Sequence, residues 1–375
     1  MKKILSFLCC AALLLPTAYA AGPEVEAKAY LLMEKETGEV LHAYNEHQAL
    51  EPASVTKVMT ILLIMEAIDA GALSYDDMIT ASTRASSMGG SQVWLKENER
   101  LSVRDMLKAI CVVSANDCCV AMAEHLAGTE ETFVERMNAR AKELGMADTT
   151  FVNCTGLPAA GHATSAYDIA LMSRELILRH PDIRQFTTIW MDTLRDGASG
   201  LTNTNRLIRF YEGATGLKTG STSTAKFCLS ATAERDGMEL IAVVLGSPTG
   251  DIRFEAAKSL LNYGFSSYAL VDVRPSGVLP PVAVTMGERQ SFQPVLGERG
   301  KLLLEKGKAN SLETAIDLPE VLPAPIAQGQ QVGTLTVTAG GETVAQVPVL
   351  AGESVARLTY GQILTACLQR AFLMV

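Results

Sequence analysis

Ser54-Val55-Thr56-Lys57 follows directly on Glu51-Pro52-Ala53 and begins an apolar run with helical spacing. A serine and a lysine at positions i and i+3 share one helical face. A hydroxyl is a poor nucleophile until a neighbouring base takes its proton, and a lysine is such a base only where burial or nearby positive charge lowers its pKa. Alone the pattern is weak. The spacing recurs at Ser223-Thr224-Ala225-Lys226 in a strand-like stretch, and a solvated lysine at a helix N-terminus satisfies it equally well.

Two further groups carry polar side chains in apolar surroundings. Ser114-Ala115-Asn116 sits inside a run that reads as one helix over 106–123, where a buried hydroxyl and amide must find partners. Capping or an interhelical hydrogen bond would account for them. Lys218-Thr219-Gly220 lies in a strand-like run after Gly216, and its glycine permits a ligand to approach the strand edge. An edge strand guarded by a lysine would look the same.

The elements that must position these residues follow from periodicity. Strand-like runs at Ala29–Glu34 and 40–44, parted by Thr37-Gly38, predict a hairpin at the start. From Ser54 to about Leu178 the spacing is helical, with Gly71 as a stop after the first helix and further helices over 103–126 and 130–144. The period returns to two at 216–221, 227–233 and 238–245, with a turn at Arg235-Asp236-Gly237, and a helix over 251–263 follows. Strands at both ends around a helical middle predict an α+β domain over 21–268, its antiparallel sheet assembled from distant segments with helices packed against it.

Beyond Phe265 the composition changes. Pro275, Gly277, Pro280 and Pro281 mark a linker, and β-rich runs around Gly340-Gly341 predict a small all-β domain over 275–350. Residues 354–375 place Gln362, Thr365 and Gln369 on one narrow helical face, with Ile363, Leu364, Cys367, Leu368, Ala371 and Phe372 covering the rest. This is an amphipathic helix, too short to span a bilayer.

A chain of 375 residues, 48% apolar and 19% charged, has material for a sizeable core and more than one domain. Its net charge of −9, without a basic cluster, argues against nucleic acid as the main partner, and none is expected. Met1–Ala20 carries Lys2 and Lys3, an apolar stretch and an Ala-x-Ala end, the pattern of a cleaved export signal; its loss takes the net charge to −11. Cys9 and Cys10 leave with it. The remaining Cys111, Cys118, Cys119, Cys154, Cys228 and Cys367 read as small buried hydrophobes. Neither the histidines nor the cysteines have metal-ligand spacing, so no metal or cofactor is expected.

Taken together, S-x-x-K at Ser54, S-x-N at Ser114 and K-T-G at Lys218, in that order in an exported chain, resemble the active-site serine penicillin-binding proteins and serine β-lactamases. Gly90-Ser91-Gln92, Asn116-Asp117, Met137-Asn138, Leu144-Gly145-Met146, Asn153 with Gly156-Leu157, and Asp168-Ile169-Ala170 extend the likeness to the D-alanyl-D-alanine carboxypeptidases of low molecular mass. The resemblance implies a β-lactamase/transpeptidase-like domain with helices on both sides of the sheet, a β-rich second domain and a C-terminal amphipathic anchor. It also implies peptidoglycan stem peptides ending in D-Ala-D-Ala as substrates, β-lactam antibiotics as covalent inhibitors, and a place at the outer face of the cytoplasmic membrane.

By the same resemblance Ser54 is the acylated nucleophile, Lys57 its base and Ser114 a proton relay. Asn116 binds the substrate amide, Lys218 and Thr219 hold the terminal carboxylate beside Gly220, and the Ser54 and Ser221 N–H groups form an oxyanion hole. Arg253 matches a family arginine at the substrate site. Ala115 stands where many relatives have Gly. A class A β-lactamase is the first rival, but Glu175 is followed by Leu-Ile-Leu and Arg179, without the Asn of the Glu-x-x-x-Asn element. A silent module that binds peptidoglycan or β-lactams is the other, and an intact Ser54, Lys57, Ser114 and Lys218 weigh against it.

Overall fold

A computed structural model describes residues 22–273, 275, 277–297 and 301–372. The export signal read at 1–20 lies outside them. The opening hairpin forms as expected, with β1 (Ala29–Glu34) and β2 (Val40–Tyr44) antiparallel and Gly38 at φ +74° in the turn. Three long strands, β3 (Ala214–Thr222), β4 (Lys226–Arg235) and β5 (Met238–Ser247), complete one antiparallel sheet in the order β2-β1-β5-β4-β3. Asp236 and Gly237, at φ +50° and +76°, close the β4–β5 turn in the mirror-image conformation that matches strand twist.

Central strands β1 and β5 are buried along their whole length because helices cover both faces. Leu31, Met33, Ile241 and Val243 face the larger helical layer: α1 (Lys57–Asp69), α2 (Val103–Val113), α3 (Asn116–Ala127) and α4 (Ala166–Arg179). Leu32, Leu240, Ala242 and Val244 face α5 (Gly250–Ser267) on the other side.

The helix expected over 103–126 is two. Ser114 ends α2 in the left-handed conformation (φ 67°, ψ 33°), Ala115 is extended, and α3 starts at Asn116. Apolar spacing could not show the break, because Cys118–Ala123 are buried on every side of α3 and the apolar positions run on across the junction. Likewise Ser54 lies in a 3-10 turn, Ala53–Thr56, that leads into α1. The second Ser-x-x-Lys falls in the β3–β4 turn, with Ser223 and Lys226 exposed.

After α5 the chain enters β6 (Tyr268–Asp272), which pairs antiparallel with β7 (Lys301–Glu305). The β-rich region contains a four-stranded sheet centred on β8 (Gln331–Ala339) and β9 (Glu342–Ala351), and a three-stranded sheet with its own small core. The final helix, α6 (Tyr360–Phe372), begins six residues later than residue 354. Val355 instead bridges to Ile326 and is 1% exposed, so 354–359 belong to the β region.

Candidate active site

Lys57 is fully buried, with Nζ 2.9 Å from Ser54 Oγ. Its other partner is the Thr155 carbonyl oxygen at 2.7 Å. Burial pushes the Lys57 pKa down, outweighing the pull of Asp117 and the neighbouring cysteines. In its neutral form the amine can keep one N–H on the Thr155 carbonyl and turn its lone pair to the Ser54 hydroxyl.

The loop that carries Thr155 is folded by Asn153, whose Oδ1 accepts from the N–H groups of Thr155 and Gly156 and from the Thr155 hydroxyl. Gly156 sits at φ +80°, and a Cβ there would come within 1.9 Å of the Ala53 carbonyl oxygen. Only glycine lets this loop touch the Ser54 turn.

Ser114 and Asn116 occupy the α2–α3 break, which turns them out of helical register. Asn116 Nδ2 donates to the Gly89 carbonyl and its N–H to the Ser91 carbonyl, both at 2.7 Å. Its Oδ1 and the Ser114 hydroxyl are buried without a partner. Unsatisfied buried polar atoms destabilise a fold unless a ligand completes them, so both are available to a substrate.

The third wall is β3, an edge strand. A Cβ on Gly220 would lie 2.8 Å from the Pro52 carbonyl and 2.9 Å from the Ser54 nitrogen, which is how closely the strand passes the Ser54 turn. Lys218 is 1% exposed, donates to the Thr219 carbonyl at 2.9 Å, and is pushed down to about 7 by burial and then by the charge of Lys57. Thr219 shares a 2.7 Å hydroxyl contact with Thr204, and Ser221 is exposed.

Arg253 reaches the strand from α5. Its Nη1 donates to the Gly220 and Cys228 carbonyls, both at 3.1 Å, its guanidinium stacks on Phe254, and Nε has no partner. Burial lowers its pKa to about 10. It thus braces the peptide of Gly220 within the sheet.

The structure therefore joins the Ser54 turn, the helix break and β3 in one site. Sequence reasoning gave no role to three supports: the Thr155 carbonyl, the Thr204 hydroxyl and the Asp117 carboxylate, which accepts from the Val93, Leu95 and Cys118 N–H groups. Only the Asn153-x-x-Gly156 turn gave a signal for the first. Five cysteines are buried, as expected, and unpaired, but Cys367 is exposed on α6. Among the described residues no three His, Cys, Asp or Glu side chains group to hold a metal ion.

A five-stranded antiparallel sheet between helices, with a buried lysine against a serine at a helix start, is the frame of a class of serine hydrolases. The chain belongs to the D-alanyl-D-alanine carboxypeptidase family, whose model matches residues 17–249, while residues 277–357 match the penicillin-binding protein 5 C-terminal domain. It is 42% identical over 368 residues to the D-alanyl-D-alanine carboxypeptidase DacF of Bacillus subtilis, covering 94% of each chain. Penicillin-binding protein 5 of Haemophilus influenzae superposes with a TM-score of 0.77 at 29% identity, over 90% of this chain and 99% of that one. Ampicillin-bound penicillin-binding protein D2 of Listeria monocytogenes matches at 0.59 and 33% identity, over 67% of this chain and all of that one.

Proposed function

We propose that the chain is a serine-type D-Ala-D-Ala carboxypeptidase that trims the terminal D-alanine from peptidoglycan stem peptides through an acyl-enzyme on Ser54. The observation that carries this reading is the 2.9 Å contact between Ser54 Oγ and the Nζ of fully buried Lys57. Lys57 takes the hydroxyl proton as Ser54 Oγ attacks the carbonyl carbon of the penultimate D-alanine. The Ser54 and Ser221 N–H groups receive the developing oxyanion. The proton passes through Ser114 to the leaving nitrogen, D-alanine departs, and Lys57 is neutral again. Water then attacks the ester, gives its proton to Lys57, and Ser54 Oγ leaves with that proton.

Asn116 holds the substrate amide through its unpartnered Oδ1. Lys218 and Thr219 receive the terminal carboxylate at the edge of β3, and Arg253 keeps the Gly220 peptide in place for them. A β-lactam places its strained amide in the same position and acylates the same oxygen. Glu175, the residue weighed as a β-lactamase-type water activator, is committed to an ion pair with Arg140 at 2.7 Å. The export pattern at Met1–Ala20 and the exposed apolar side chains of α6 support a place in the cell-wall space at the outer face of the cytoplasmic membrane, with α6 resting on that membrane. No helix among the described residues is long and apolar enough to cross a membrane.

Free D-alanine released from diacetyl-L-lysyl-D-alanyl-D-alanine, lost in Ser54→Ala and blocked by penicillin, is the expected result. Intact-mass spectrometry should show one drug adduct on the native enzyme. An adduct that persists in Ser54→Ala would overturn the nucleophile.

A further inference from the structure

Thr60 stands one turn after Lys57 on the same face of α1 and is fully buried. A threonine inside a helix can satisfy its hydroxyl on a carbonyl of its own preceding turn. Thr60 instead donates outward, to the Cys154 carbonyl at 2.7 Å. The next carbonyl along that loop, Thr155, accepts from Lys57 Nζ, also at 2.7 Å. Two successive carbonyls are therefore tied to one helix face, the first by Thr60 and the second by the base itself.

The peptide between Cys154 and Thr155 is fixed at both ends, its carbonyl on Thr60 and its N–H on Asn153 Oδ1 at 3.1 Å. On the far side of Cys154, its own N–H and Sγ lie 3.4 Å from Glu130 Oε1, and the other carboxylate oxygen accepts from Arg84 at 3.0 Å. Thr60 and Cys154 are both 0% exposed, so neither meets a substrate. What they can set is the direction of the Thr155 carbonyl.

An ammonium carries three donors and no acceptor, and each carbonyl it reaches stabilises its charged form. Lys57 serves as a base only as the neutral amine. Among the described residues, Thr155 supplies the one backbone carbonyl bonded to Nζ. The Cys154 carbonyl, one residue away in the same buried loop, is the acceptor best placed to become a second, because a buried carbonyl that loses its donor must find another. Thr60 keeps it occupied a turn further along α1.

We infer that Thr60 is a positioning residue for the reaction: by holding the Cys154 carbonyl it aims the Thr155 carbonyl at Lys57 and keeps a competing acceptor off the amine, so that Nζ stays available to Ser54. This rests on the carboxypeptidase reading, which makes Lys57 the base.

The test compares the native full chain with Thr60→Val, which exchanges the hydroxyl for a methyl group, and Thr60→Ser, which keeps the donor. Two rates are followed across pH: D-alanine release from diacetyl-L-lysyl-D-alanyl-D-alanine and acylation by penicillin. The other titratable groups facing Lys57, namely Asp117 and Cys119 on α3, Cys154 in the loop and Lys218 on β3, are the same in all variants. Thr60→Val should lose roughly 10–100-fold in kcat with KM within about twofold of native, and the acid limb of both profiles should move to higher pH, since an extra carbonyl favours the protonated amine. Thr60→Ser should restore the native rate and limb. An unmoved acid limb in Thr60→Val, whether or not its rate or melting temperature falls, would reduce Thr60 to a structural residue and overturn the inference, as would a Thr60→Ser enzyme no better than Thr60→Val. If Thr60→Val does not fold, Thr60→Ala removes the same donor and is read in the same way; failure of both to fold would also overturn the inference. A native enzyme that releases no D-alanine would overturn the carboxypeptidase reading instead, while the penicillin profiles still decide on Thr60.

Discussion

Two buried lysines at one site invite the question of which stays charged. Burial lowers both, but the hydrogen-bond partners of Lys57 are two neutral oxygens, the Ser54 hydroxyl and the Thr155 carbonyl, while Lys218 faces the place proposed for a carboxylate. Lys57→Arg should therefore reduce acylation by penicillin by roughly 10²–10⁴-fold, since a guanidinium cannot accept a proton near neutral pH. Lys218→Arg keeps its cation and should retain a measurable rate; equal losses would merge the two roles. A quieter residue supports the same turn. His162 Nδ1 accepts from the Val152 N–H at 3.0 Å, so its proton sits on Nε2, 2.8 Å from Thr56 Oγ1. Burial holds this neutral ring at a pKa of about 4, against 6.5 when unfolded. Between those values the unfolded chain binds more protons than the folded one. The stability this ring contributes is complete above pH 6.5 and is lost as pH falls toward 4, by roughly 3 kcal/mol. Denaturant unfolding across that range should show a shallower acid loss for His162→Gln than for the native protein. Parallel curves would remove His162 from the account.

At the scale of elements, the α2–α3 break shows how the site is made and why it was partly hidden. Ser114 is left-handed and its hydroxyl is buried without a partner, two features that cost stability. Ser114→Gly relieves both, at the expense of some chain entropy on folding. We expect a melting temperature no lower than that of the native enzyme together with a large loss of penicillin acylation. A marked fall in melting temperature would show that Ser114 supports the fold. In the sequence, Ser114-Ala115-Asn116 was visible as polar residues among apolar ones, and the hairpin β1–β2 was legible to the residue because Thr37-Gly38 interrupts alternating runs. The break itself was not legible. Burial on all sides of α3 erases the amphipathic signal that marks where one helix stops and another starts. Nor could spacing foresee the Thr155 carbonyl, a backbone atom whose place depends on the Asn153 turn meeting Ala53 across about a hundred residues of chain.

For the whole molecule, the open question is what holds it where its substrate is. The β region carries the chain from β6 to Thr359, and the last six residues of that span are built into it: Val355 pairs with Ile326, Arg357 bridges to Gly287, and the Leu358 N–H meets the Met286 carbonyl. Beyond them α6 stands apart. Tyr360, Leu364 and Leu368 are 94%, 62% and 49% exposed, an apolar surface that water covers at a cost and a lipid boundary would cover at a gain. Gln362 does bond Glu288, an exposed contact that adds little. Cutting after Thr359 should therefore leave the melting temperature unchanged, keep D-alanine release from small peptides, and abolish binding to phosphatidylcholine vesicles. Cutting after Gly352 also removes Val355 from its core, and should destabilise the β region by about 2 kcal/mol. Because the exposed side chains of α6 are largely apolar, vesicle binding by the full chain, if α6 anchors it, should persist in high salt. If the cut after Thr359 lowers the melting temperature and the full chain ignores vesicles, α6 is a structural element and the enzyme is held at the membrane by other means.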